Sequence, residues 1–160
     1  MEAAETELIR KRVEQLLAAG FLGQRSSALR IGSPIPIVDS NDRLHSWFVP
    51  LEIGSKLAGF AQLLPSLVPL RFSSFQRNPS DFDSCPDLSD WTDVATIRAH
   101  AATLAHAGEE LSQPVLSYDQ NPSRVAWRVL TKSASGTSRP LFVAGTAVYE
   151  GRTEPPSATG

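Results

Sequence analysis

The chain has 160 residues, enough for one medium domain or two small units, and 41% of them are hydrophobic, too many for a disordered protein. Lys and Arg number 15 and Asp and Glu 17, a formal net charge of -2. The densest basic cluster is Arg10, Lys11 and Arg12 on one predicted helix, so neither the basic stripe nor a recognised module of a nucleic-acid binder is present. No stretch reaches the roughly 18 apolar residues of a membrane helix, because the longest apolar-rich run, 57–70, is broken by Gln62, Pro65, Ser66 and Pro69.

The amino terminus is acidic (Glu2, Glu5, Glu7) where a signal peptide is basic and then apolar, so the chain as written reads as cytoplasmic; one trimmed of a leader would read the same. Helix is expected over 5–19, where Ile9, Val13, Leu16 and Leu17 recur at helical spacing and Gly20 stops the run. A loop follows over 20–33. The period then changes to that of strands, over 34–38, 44–51 and 57–63, with a weaker candidate at 67–75. Asp39-Ser40-Asn41-Asp42 has turn chemistry, since Asx side chains bond nearby backbone groups. In 44–51, His45, Trp47, Val49 and Leu51 alternate with Ser46 and Phe48, and Pro50 places the strand end at a sheet edge.

Residues 78–91, rich in Pro, Ser and Asp, read as a connector. A second helix is expected over 92–107, with Val94, Ile97, Ala101, Leu104 and Ala105 as its stripe and Asp90 or Thr92 as N-cap. Strands follow at 114–118, 124–131 and 139–148, the last bent at Gly145, and 152–160 reads as a disordered tail. The halves repeat. A shift of 80 aligns Pro34 with Pro114, Asp39 with Asp119, Asn41 with Asn121, Trp47 with Trp127 and Val49 with Val129, without a gap. The expectation is an α+β protein of two α-β-β-β units, 1–77 and 92–151, with helices packed on antiparallel sheet and the tryptophans as core anchors.

The segment Pro114-Val115-Leu116-Ser117-Tyr118-Asp119-Gln120-Asn121-Pro122-Ser123-Arg124-Val125-Ala126-Trp127-Arg128-Val129 resembles the strand pair of PepSY-type domains, as in propeptides of thermolysin-like metalloproteases. Residues 34–63, with Gly59-Phe60, are similar to the same hairpin and its following strand. The resemblance implies a tandem, non-catalytic module that inhibits a protease, assists its folding or contacts another protein. It carries over no functional residue, because the matched positions are packing positions.

Chemistry is sparse. Cys85, the single cysteine, precludes an intrachain disulfide and sits among Asp83 and Asp87, which disfavour a thiolate. His100 and His106 lack the i, i+4 spacing of a helical metal pair, and His45 falls mid-strand. Asp81, Asp83, Asp87, Asp90 and Asp93 lack the glycine and closing glutamate of a calcium loop. No phosphate-binding glycine motif occurs, and Ser133–Ser138 reads as a hairpin loop rather than a nucleophile elbow. No catalytic residue, metal or cofactor is expected.

The apolar stretch Leu64, Leu67, Val68, Leu70 and Phe72 is either a lid over the core or a surface that binds another chain by strand addition. The first functional expectation is therefore a protein-interaction module whose partner is another protein, a peptidase among the options. The alternatives are a small-molecule binder or enzyme with a pocket between helix and sheet lined by His45, Trp47, Arg124 or Arg128, and a homodimeric structural subunit.

Overall fold

Ile9, Val13, Leu16 and Leu17 fall on one side of the first helix, and that side decides how the amino-terminal half packs. The computed structural model describes residues 2–23, 26–76, 78 and 82–151. The chain divides into two compact units, Met1–Trp91 and Thr92–Gly160, and each carries one five-stranded antiparallel sheet. The fold is α+β with few helices. Among the described residues no helix is long and apolar enough to cross a membrane. Asp81 and the tail 152–160 lie outside the described residues.

In the first unit α1 (Ala3–Ala18) leads to β1 (Arg30–Ile31), β2 (Ile35–Val38), β3 (Leu44–Ile53), β4 (Lys56–Leu63) and β5 (Pro69–Ser74), then to the short α2 (Ser89–Thr92). β1 and β2 share one side of β3, β4 pairs with its other side, and β5 closes the sheet as an edge strand. The apolar face of α1 packs on Trp47, Val49, Leu51, Ala61 and Leu63, so the helix–sheet space is filled by side chains. On the opposite face Phe48 stacks on Phe60 at 4.7 Å and on Trp91 at 6.1 Å. Both faces of β3 and β4 are therefore buried, which removes the polar alternation of a half-exposed strand. Segment 82–91 is tied to the β3–β4 hairpin, with Leu57 N–H donating to Pro86 O, Leu88 N–H to Ser55 O, and Lys56 paired with Asp87 at 2.7 Å.

In the second unit α3 (Val94–Ala102) is followed by β6 (Glu110–Leu111), β7 (Val115–Tyr118), β8 (Val125–Lys132), β9 (Ser138–Ala144) and β10 (Ala147–Glu150). The order is β10-β9-β8-β6, with β7 also on β8. Ile97 and Ala101 are the buried residues of α3, and Trp127, Val129, Leu141 and Val143 are among the buried positions of β8 and β9.

Several expectations change. Each unit has five strands rather than three: a two-residue strand stands inside what reads as loop, and the weaker candidate at 67–75 forms β5 in the first unit. The strand expected over 139–148 is a hairpin, turned by Gly145 in the left-handed region at φ 65°. The second helix ends at Ala102, well short of 107, and its N-cap is Asp93 rather than Asp90 or Thr92. Nor is Pro50 at an outer edge, since β3 is interior. Gly32 N–H donates to Pro50 O, so the missing N–H of Pro50 faces the same side, into the break between β1 and β2, and the ladder to β4 loses nothing.

Candidate functional site

The stretch 64–72 follows β4 through a tight turn, in which Leu67 N–H donates to Leu64 O and Leu64 N–H to Val68 O. Leu67 takes φ 68°, a strained value for leucine, and its carbonyl accepts Arg12 Nε at 3.2 Å. Leu67 and Phe72 pack against the α1 core, Leu64 is half-buried, and Val68 and Leu70 are 51% and 44% exposed. The five residues expected as one apolar surface thus divide: two help close the core and two stand outward.

β5 has a neighbour on one side only. Phe75 N–H donates to Ala58 O, which places the backbone groups of residues 71, 73 and 75 toward β4. Those of Phe72 and Ser74 face the open side, and among the described residues none pairs with them. Ser74 Oγ accepts Gln76 N–H at 3.2 Å. Strand, exposed valine and exposed leucine therefore form one continuous edge.

Arg71 lies within this edge and was not among the expected site residues. Its Nε donates to Gln62 Oε1 at 2.9 Å, and its guanidinium carbon sits 4.9 Å from the centre of the Phe60 ring. Gln62 Nε2 donates to Ser46 Oγ, which is also 2.9 Å from His45 Nδ1. Gln62 and Ser46 are buried. Burial draws Arg71 below its ordinary guanidinium value. Among the described residues no carboxylate pairs with it.

None of the clefts described below is lined by His45, Trp47, Arg124 or Arg128. Trp47 is inside the packed core against α1, and His45 is half-buried beside Ser46. In the second unit Arg124 lies in the β7–β8 turn, 4.0 Å from Asp119, and Arg128 stands on β8 opposite Val115 and Phe142. The open spaces lie elsewhere. A cleft of about 680 Å³ beside α1 is lined by Glu7, Arg10, Glu14, Ser26, Ser27 and Arg30 among others. A groove of about 630 Å³ beside α3 is lined by Val94, Ala95, Ala99, Ala102 and Leu111, with Arg98 and Gln113. Across each, a helix arginine donates to the first short strand, Arg10 Nη2 to Ile31 O at 2.9 Å and Arg98 Nη2 to Leu111 O at 2.8 Å.

An ion-pair cluster in the second unit ties β9 to its neighbours. Arg139 on β9 holds Glu109 through both Nε and Nη2, reaches Leu104 O, and pairs with Glu150 of β10. Glu109 is held down to about 2 by Arg139 first, then by the His106 N–H. Cys85 is buried and in no disulfide, and among the described residues no three His, Cys, Asp or Glu side chains converge as a metal site. Compared with family models, with curated proteins and with solved structures, the chain matches none.

Proposed function

We propose that the chain is a non-catalytic protein-interaction module, built as a tandem duplication of a PepSY-like α+β unit. It takes an extended segment of a partner along the open edge of β5, and so restrains or chaperones that partner, a peptidase being the case the resemblance suggests. The observation that carries this reading is the β5 edge itself, where the outward backbone groups of Phe72 and Ser74 have no partner among the described residues and stand beside exposed Val68 and Leu70. Strand addition draws its affinity from such main-chain groups and its selectivity from the flanking side chains.

Duplication is supported by pairing register. Ile35↔Phe48, Trp47↔Leu63 and Ile31↔Leu51 recur 80 residues later as Val115↔Arg128, Trp127↔Val143 and Leu111↔Thr131. The two helix-to-carbonyl arginine bonds supply a second correspondence. The filled helix–sheet space of the first unit speaks against a ligand pocket there.

The test is cross-linked capture from the native host with the tagged full chain, the Ser74→Pro variant and a Val68→Asp, Leu70→Asp variant. Proline at 74 removes an outward N–H and leaves the ladder to β4 intact. Leu67 is spared because it packs on the core. One partner recovered reproducibly by the parent and lost from both folded variants is the expected result. A blank with the parent, or capture indifferent to both variants, overturns the reading. Self-capture, checked by light scattering, would transfer the edge to a homodimer.

A further inference from the structure

The edge strands β5 and β10, one from each sheet, differ in how their charges are satisfied. At the edge of the second unit, Glu150 on β10 is paired with Arg139, and no large apolar side chain of β10 is exposed. At the edge of the first, Arg71 on β5 has spent only Nε, on the neutral oxygen of Gln62, so its Nη groups have no anionic partner among the described residues. The Phe60 ring and the Gln62 bond hold the guanidinium in one orientation, which lowers the ordering cost of a bidentate contact. Residues directly opposite across a strand pair on one face stand about 4.5–5.5 Å apart at Cβ, within reach of a glutamate or aspartate.

We infer that the segment added to β5 carries a carboxylate which pairs with Arg71, while apolar side chains of the same segment cover Val68 and Leu70. The occupant is thus an extended acidic–apolar stretch of a partner protein. The inference rests on the strand-addition reading of β5 and adds the chemistry of what is selected. Arg71 is partly buried and has no counter-ion among the described residues, and a carboxylate at that point offsets the cost of that burial. A neutral glutamine in the same place would still bond but would forgo the charge-assisted part, an affinity lower by about tenfold.

A displayed library of random heptapeptides, selected on the immobilised full chain, supplies the test. The expected result is enrichment of Glu or Asp at one position flanked by apolar residues. A synthetic copy of a selected peptide should bind about tenfold more tightly than its Gln analogue, and Arg71→Gln should erase that ratio without abolishing binding. Arg71→Lys, which keeps the charge but loses the fork, should give an intermediate ratio and guards against a folding defect in the glutamine variant. Peptides that bind in a Ser74-dependent manner with no acidic preference, or with one unchanged in Arg71→Gln, overturn the carboxylate inference and leave the edge reading standing. Failure to recover any peptide whose binding is lost in Ser74→Pro overturns both.

Discussion

Replacing Gly32 by serine and Pro50 by leucine, singly and together, tests whether the two units share one backbone design with exchanged side-chain solutions. Gly32 N–H donates to Pro50 O at 2.8 Å, and Ser112 N–H donates to Leu130 O at 2.9 Å, so the backbone contact is the same 80 residues apart. In the second unit Leu130 N–H donates to Ser112 Oγ at 2.9 Å. In the first unit the proline has no N–H and the glycine no hydroxyl. A Cβ on Gly32 would lie 2.7 Å from Pro50 Cγ and 2.8 Å from Glu52 Oε1. The glutamate end can swing away, but the ring cannot, so Gly32→Ser alone should cost about 1–3 kcal/mol. Pro50→Leu alone creates a buried N–H facing a position without an acceptor, again about 1–3 kcal/mol, with up to about 1 kcal/mol more from the freer unfolded chain. Together the clash disappears and the serine oxygen meets the leucine N–H. The double variant should therefore be more stable than the summed singles by about 2 kcal/mol. Urea unfolding of the four proteins, followed by far-ultraviolet circular dichroism and tryptophan emission, gives the cycle. Additivity to within about 0.5 kcal/mol would refute the exchange.

Three further outcomes are expected. Glu109 ionises near 2 in the folded chain against 4.5 when free, so its contribution to stability is present above pH 4.5 and is lost as pH falls toward 2. Acid titration by circular dichroism should show that loss in the parent and not in Glu109→Gln; equal slopes would remove the Arg139 clamp from the account. Leu63→Ala, at a fully buried position, should cost about 2–5 kcal/mol in thermal or urea unfolding, whereas Val68→Ala should stay within about 0.5 kcal/mol. Cys85 should resist a thiol-reactive dye until segment 82–91 opens, and labelling of the native protein at the free-thiol rate would contradict its burial.

Local chemistry made part of this legible in the sequence. The spacing of Ile9, Val13, Leu16 and Leu17 located α1 and its buried face, and the apolar runs located β3, β4 and β8. The two-residue strands β1 and β6 were not legible, because a pair of residues has no period. The Asx turns show how identity misleads. Asp39 and Asn41 align with Asp119 and Asn121, yet Asp42 takes the left-handed conformation in the first turn and Gln120 in the second. A register shift between Ile37 and Val38 makes the first turn one residue shorter, closed by Asp39 N–H on Arg43 O where the second is closed by Asp119 N–H on Arg124 O. In the candidate site, the run 64–72 reads as one apolar patch until a left-handed Leu67 turns part of it inward. Arg71 had a signal in the sequence: it is the one charged residue of the edge strand Pro69–Ser74. Glu109 and Arg139 had none, since 30 residues separate them.

The same positions that carry the Arg139 clamp in the second unit also explain how β5 is held in the first. Glu109, Thr131 and Arg139 correspond, 80 residues earlier, to Leu29, Leu51 and Gly59, which with Leu22, Ala58, Ser74 and Gln76 line a cavity of only about 20 Å³. Where the second unit uses an ion pair on its outer strands, the first uses apolar contact and a glycine. A Cβ on Gly59 would meet Ser73 O at 2.3 Å, so the absence of a side chain there is what lets β5 lie close against β4. That close approach fixes the edge without using a charge, and so leaves Arg71 as the charge the strand still has to offer. Exchanging a salt bridge for a glycine thus alters the outer strand while the inner register stays the same. The outer strands of the two sheets thus differ, one carrying the Arg139–Glu150 pair and the other Arg71 beside exposed Val68 and Leu70.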